Sequence, residues 1–240
     1  MEWVLAWTLA AVDSCPWDSC DPATIEFCER RLCAWVAEPA NAYTSLTKTL
    51  AGLVILWSCR KKRDALIAIG VAAFFQGFFG FALHATGAFW GEALDVSGMF
   101  TISGLFLVFA LRRLYGWSNR RVVLVFVSLV AVSVSILLTY RPSGIAVFTV
   151  QIVAWVFLEV RLYRAQGATT DYRYFKLLVI TFAIAFAAWI PDITRVVCDP
   201  DNHVFNLHSL WHVLTSLVIY WFYRYQVQFR ERPSAPNATR

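Results

Sequence analysis

The feature that most constrains this chain is a series of long apolar runs separated by short clusters of Lys and Arg. Seven runs approach the roughly 20 residues that an α-helix needs to cross a bilayer. They are residues 42–57, 65–84, 93–111, 122–139, 145–160, 177–190 and 207–222. Several are shorter than a full span, so their ends must extend into the interfacial layer. Hydrocarbon offers no partner for a free N–H or C=O, so a spanning segment must be a helix or part of a closed barrel. None of these runs alternates as barrel strands do. The sequence therefore predicts an all-α, polytopic membrane protein, a bundle of seven transmembrane helices. Composition agrees: 59% of residues are hydrophobic and 15% charged, against roughly 45–50% and about 25% in soluble domains.

The basic residues set the orientation. Sixteen of the 21 fall on one side, in clusters around Arg60–Lys61, Arg112–Arg113, Arg161–Arg164 and Arg224–Arg230. The positive-inside rule makes that side cytosolic. The N-terminus is then outside and the C-terminus inside, as an odd number of spans requires. Three parts follow: an extracytosolic segment 1–41, a seven-span body 42–225 and a cytosolic tail 226–240. Residues 1–11 are apolar but lack the positive n-region of a signal peptide, so they read as an interfacial segment. The net charge of +5 is accounted for by topology and does not call for nucleic acid. There is no internal repeat and no phosphate-binding loop.

Acidic residues show the opposite bias, with twelve of 16 on the outer side. All four histidines, His84, His203, His208 and His212, share it. His208 and His212 are four apart at the outer start of the last run, which places both imidazoles on one helix face. His84 closes the second run and Asp95 opens the third. Ionisable groups inside membrane helices are costly and mark function. Three imidazoles and a carboxylate at one level point to a metal site. Zinc held by three imidazoles keeps a fourth position for water and lowers its pKa toward ~7. Asp95 is placed to take that water's proton and pass it to a leaving group. Lys48, about six residues into the first run, reads as a stem that snorkels outward, with Asp192 or a substrate head group as the other candidate partners. Trp189 and Trp211 read as packing or interface aromatics. Cys15, Cys20, Cys28, Cys33 and Cys198 lie outside and Cys59 inside, which suits an oxidising outer compartment; spacing leaves the pairing open.

Three stretches carry a resemblance to the alkaline ceramidase family. They are F-C-E-R-R with A-E-P-A-N-A-Y-T-S-L (27–46), G-F-A-L-H-A-T with E-A-L-D-V-S-G-M (80–99), and W-I-P-D-I (189–193) followed by Cys198 and L-H-S-L-W-H-V-L-T (207–215). That family sits in a wider group of seven-span hydrolases that includes the progestin and adiponectin receptors. The resemblance implies hydrolysis of ceramide to sphingoid base and fatty acid, with zinc on His84, His208 and His212 and with Asp95 assisting the water. It implies a ceramide-like lipid entering laterally between the spans, and a Cys28–Cys198 disulfide. It also implies a site facing the periplasm or lumen, in a bacterial inner membrane or an ER or Golgi membrane. Glu26, Glu29 and Glu38 match acidic positions that hold calcium in some members. Neither nucleic acid nor an obligate protein partner is expected.

The chain departs from the family pattern in two places. Gly80 stands where a serine usually precedes the first histidine by four residues. Glu26 replaces a common aspartate and Arg31 falls near an expected amide. The same zinc set also fits an esterase or phospholipase of the wider group, or a receptor with little chemistry. A transporter is the weakest reading, because transport sites lie near midplane between repeats.

Overall fold

The computed structural model describes residues 15–61 and 64–230. Segment 1–11 and the end of the tail lie outside the described residues. The chain is helical, with no strand among the described residues beyond one isolated bridge between Pro22 and Ala88. Helices α1 (Pro39–Ser45) and α2 (Thr47–Cys59) are joined by Leu46, which keeps helical dihedrals. Then come α3 (Ile67–Thr86), α4 (Phe89–Tyr115), α5 (Asn119–Thr139), α6 (Gly144–Gln166), α7 (Arg173–Ile193) and α8 (Leu207–Val227).

Five of these, α3 to α7, are long and apolar enough to cross a membrane. Helices α4, α6 and α7 outrun their apolar runs at both ends. Helix α4 includes Glu92 and Arg113, and α7 includes Asp192, because each of these polar groups finds a partner inside the protein. Residue Gly87 ends α3 at φ 60°, the left-handed conformation that glycine adopts without steric cost. The chain turns there at once into α4.

Helix α4 is the axis of the bundle. It packs on α3, α5 and α6, while α8 packs on α7 and α2. Of its most apolar window 67% is buried, against 11% for α5. The outward faces of α5, α6 and α7 are apolar; Val123, Leu124 and Val127 are all exposed. A contiguous apolar surface of this extent needs an apolar solvent. The protein is a membrane protein.

Both ends of the bundle are pinned. At one end Phe106 packs 4.0 Å from Phe222 and 4.8 Å from Trp155, centroid to centroid. Beyond these rings Arg113 pairs with the buried Glu159 and donates to Tyr225 Oη at 2.8 Å; Tyr225 donates to Glu159 Oε2 at 3.0 Å. This network ties α4, α6 and α8 together. At the other end the segment 15–38 crosses the bundle. Disulfides Cys15–Cys33 and Cys28–Cys198 hold it, as do two hydrogen bonds of 2.5 Å from Thr24 to Glu92. The Cys28–Cys198 pair is the expected one; Cys15–Cys33 resolves what spacing left open.

Replacing Glu159 by Leu leaves Arg113 largely buried without a counter-charge. The expected cost is about 3–5 kcal/mol, seen as a lower midpoint of thermal unfolding in detergent. An unchanged midpoint would mean that the guanidinium escapes to water when unpaired.

Candidate metal centre

Helix α8 is aimed by its first turn. Asn206 caps it reciprocally with Ser209, accepting from Ser209 N at 2.8 Å while Ser209 Oγ accepts from Asn206 N at 2.7 Å. Asp192, at the end of α7, accepts from His208 N at 3.1 Å through Oδ2 and from Cys28 N at 3.1 Å through Oδ1. One carboxylate therefore fixes α8 to both α7 and the crossing segment. This is not the Lys48 partnership considered from sequence.

So held, His208 and His212 face His84 from the last turn of α3. The Nε2 atom of His84 is 3.3 Å from that of His208 and 3.1 Å from that of His212. All three residues are buried. One nitrogen lone pair cannot serve two neighbours equally, whereas an ion at the centre would serve all three nitrogens. Tetrahedral zinc with bonds of about 2.0–2.1 Å has ligand atoms about 3.3 Å apart; the two separations from His84 match, and all three ligand atoms lie within 4.8 Å of one another. Among the described residues it is the one group of His, Cys, Asp and Glu side chains close enough to hold a metal.

Behind His84 stands Glu38, whose Oε2 lies 2.7 Å from His84 Nδ1. A carboxylate in this place fixes the tautomer so that Nε2 keeps its lone pair for a metal. Burial alone would raise the Glu38 carboxyl. Its hydrogen bond to and charge interaction with His84, the Asn41 amide and the Arg31 charge outweigh burial and hold it below the ordinary value. From sequence Glu38 was a calcium candidate; its orienting contact on His84 was missed. Glu26, Glu29 and Glu38 line one pocket together with Arg31 and Arg195, and within it Glu26 and Glu29 each have their own partners.

Lys48 does not snorkel. It is 4% exposed, and its Nζ lies 2.6 Å from His212 Nδ1. Its stem leaves α2 on the face packed against α8, where the polar company lies inside the bundle. Asp95 is also buried, and its Oδ1 accepts from Gln76 Nε2 at 2.8 Å. Gln76 was not picked out from sequence. It had a signal: Gln76, Gly80 and His84 are four apart and share one face of α3. Gly98 leaves room for it, since a Cβ there would lie 1.7 Å from Gln76 Oε1.

At Gly80 a Cβ would meet Asp95 Oδ1 and Ser45 Cβ, each at 3.0 Å. Ser45 does not stand in for the missing hydroxyl, because it donates to Ala42 O at 2.7 Å and Gly77 O at 3.1 Å. Ser97 donates to Ala93 O on its own helix. A narrow apolar cavity runs from the histidines, Lys48, Gln76 and Asp95 down between α4, α6, α7 and α8 to Phe106. Trp189 and Trp211 form part of its wall, with ring centroids 5.9 Å apart, so they do more than pack. Phe27 closes it over the metal centre, 3.9 Å from the His208 ring. Helices α6 and α7, which face each other across the cavity, are not closely packed.

Comparison with known proteins places this geometry. A family model described as Ceramidase matches residues 20–238. Alkaline ceramidase 1 of Homo sapiens is 26% identical over 196 residues, covering 76% of this chain and 72% of the relative. Alkaline ceramidase 1 of Mus musculus is 25% identical over 193 residues, covering 76% and 70%.

Glu38→Gln removes the charge behind His84 and nearly preserves shape. Zinc affinity is expected to fall by about 10–100-fold, read by competition with a metal-binding dye. Undiminished affinity would mean that packing alone orients His84.

Proposed function

The chain belongs to the ceramidase family, and from that membership and its buried histidine triad we propose that it is a zinc-dependent amidase that cleaves ceramide to sphingoid base and fatty acid within the membrane. That it is a hydrolase of the ceramidase type follows from the family itself. The observation that carries the finer reading is the convergence of three Nε2 atoms beside Asp95, at the head of an apolar cavity. His84, His208 and His212 would hold the ion. When bound, zinc supplies a Lewis acid and an acidified water.

The rest of the chemistry belongs to the chain. Asp95 takes a proton from the attacking water and delivers it to the amide nitrogen as the C–N bond breaks. The water's oxygen ends on the acyl carbon and both of its protons are accounted for, so fatty acid and amine leave together. Gln76 holds the Asp95 carboxylate through Nε2, keeping one oxygen committed and the other available. Lys48 places a positive charge at the same level as Asp95, whose charge it faces. Phe27 and the crossing segment exclude bulk water from above. The cavity below is lined by Ile, Phe, Met and Trp side chains that match acyl and sphingoid chains.

The loose seam between α6 and α7 supports lateral entry of the lipid. Taking α1 with α2 as one crossing and α8 as the last gives seven spans. The basic residues then put the tail 226–240 in the cytosol and the segment 1–41, with the metal centre, on the periplasmic or lumenal side.

The test is turnover with metal analysis on the same sample. Wild type is expected to release fatty acid from ceramide and to carry about one zinc per chain. Asp95→Asn should keep zinc and lose about 10²–10⁴-fold in rate; His212→Ala should lose both. Bound zinc with intact ceramide but a cleaved ester lipid would reassign the substrate. Wild type without zinc would remove the centre.

A further inference from the structure

The three glutamates that the resemblance offers to calcium line one pocket with Arg31, and the cationic place beside Glu38 in that pocket is already taken. Calcium takes six to eight oxygens at about 2.3–2.6 Å, so its carboxylates must converge with lone pairs to spare. Here the protein's own donors already hold each of them. Glu26 is paired with Arg195 at 2.9 Å on the surface. Glu29 is buried and accepts from Ala40 N and Asn41 N, both at 2.9 Å, with His203 Nδ1 at 3.1 Å. Glu38 gives Oε2 to His84 and Asn41, and gives Oε1 to Arg31 Nε at 3.2 Å.

The Arg31 guanidinium lies in a cradle shaped for it. Its Nη2 donates to Ile25 O at 3.4 Å. Its flank lies on Gly87, where a Cβ would come within 2.8 Å of Arg31 Nε and 3.0 Å of Cζ. The bare α-carbon of Gly87 therefore has two uses: it turns the chain from α3 into α4, and it admits the guanidinium. The side chain is 32% exposed, so it enters from the wet side and meets a carboxylate that is 2% exposed. A fixed cation thus sits where a divalent ion would have to approach Glu38.

We propose that Arg31 is the resident cation of this site: it takes the place of calcium beside Glu38, so the chain requires no calcium, and it positions His84 through Glu38. The positioning half rests on the zinc reading above; the calcium half does not. A guanidinium is always charged and cannot dissociate, so the arrangement behind His84 is independent of the calcium concentration outside.

Wild type, Arg31→Asn and Arg31→Lys are melted in calcium-free buffer and in about 5 mM calcium, above the 10⁻⁴–10⁻³ M range of weak extracellular sites. Zinc per chain and ceramide turnover are measured on the same samples. Wild type and Arg31→Lys should shift by less than about 1 °C with calcium. Arg31→Asn should melt lower without calcium and recover by about 2–4 °C with it, its zinc content and turnover following. Calcium that raises the wild-type midpoint overturns the proposal, whichever variants fold. So does an Arg31→Asn protein indifferent to calcium, or one that folds in neither buffer while Arg31→Lys folds in both. If no sample holds zinc or cleaves ceramide, the ceramidase reading fails, and the melting curves still decide Arg31.

Discussion

Three imidazoles, a carboxylate and an ammonium buried at one level of a membrane bundle dictate most of what surrounds them. Each such group is expensive to bury without a partner. The helices that carry them are accordingly fixed in register by other polar groups. Glu38 meets His84, Gln76 meets Asp95, Lys48 meets His212, and Asp192 receives the first turn of α8. None of these second partners can be exchanged for an apolar residue without stranding the group it serves. The crossing segment 15–38 is best understood in this light. Its disulfides and the Thr24–Glu92 hydrogen bonds keep it over the end of the bundle, and from there it supplies Glu29, Phe27 and Arg31 to the same region.

The apolar runs and the clusters of Lys and Arg were enough to read an all-helical membrane chain. They located the helices but misjudged their ends, because a run stops at the first charge and a helix need not. Arg113 shows why. In sequence it closes the third run; in the structure it points inward to Glu159 and Tyr225, and α4 continues past it. The histidine cluster was legible in part because its spacing is local: four residues between His208 and His212, and a histidine at the end of an apolar run. The roles of Glu38, Gln76 and Lys48 were not legible. They depend on which face of α2 and α3 turns toward α8, a long-range property that periodicity alone does not supply. Glu38 is the clearest instance. Its neighbours in sequence suggested a calcium ligand, whereas the fold brings His84 against one of its oxygens and Arg31 against the other.

The position of Gly80 shows how one departure spreads to its neighbours. A side chain there would project into the space between Asp95 and Ser45, each of which would lie 3.0 Å from its Cβ. Asp95 can therefore lie close against α3, where Gln76 reaches it from one turn below. Gly98, on the facing helix, gives Gln76 the room to do so. The three positions form one arrangement in which an amide, in place of a hydroxyl, holds the carboxylate. The buried Gln76 Oε1 fills the notch left by Gly98 and has no hydrogen-bond partner among the described residues.

The two ends of the bundle are built for different demands. At the end away from the histidines, aromatic rings and the Arg113–Glu159–Tyr225 network lock α4, α6 and α8 into one unit. At the histidine end α6 and α7 contribute cavity wall, with Asp192 of α7 as the polar lock onto α8. Helix α7 is tied to α8 through Asp192 and its aromatic face, and α6 is tied to α4 through the Gln151–Ser103 hydrogen bond at 2.5 Å. The seam between them adjoins the cavity, and its contacts are apolar: Phe148 and Ile152 of α6 share a cluster with Phe182 and Phe186 of α7, and Trp155 lies 5.7 Å from Phe175. A hydrocarbon chain entering there would replace apolar contacts with apolar contacts, whereas opening α4 from α6 would break the Gln151–Ser103 hydrogen bond, and opening α7 from α8 the one from His208 N to Asp192.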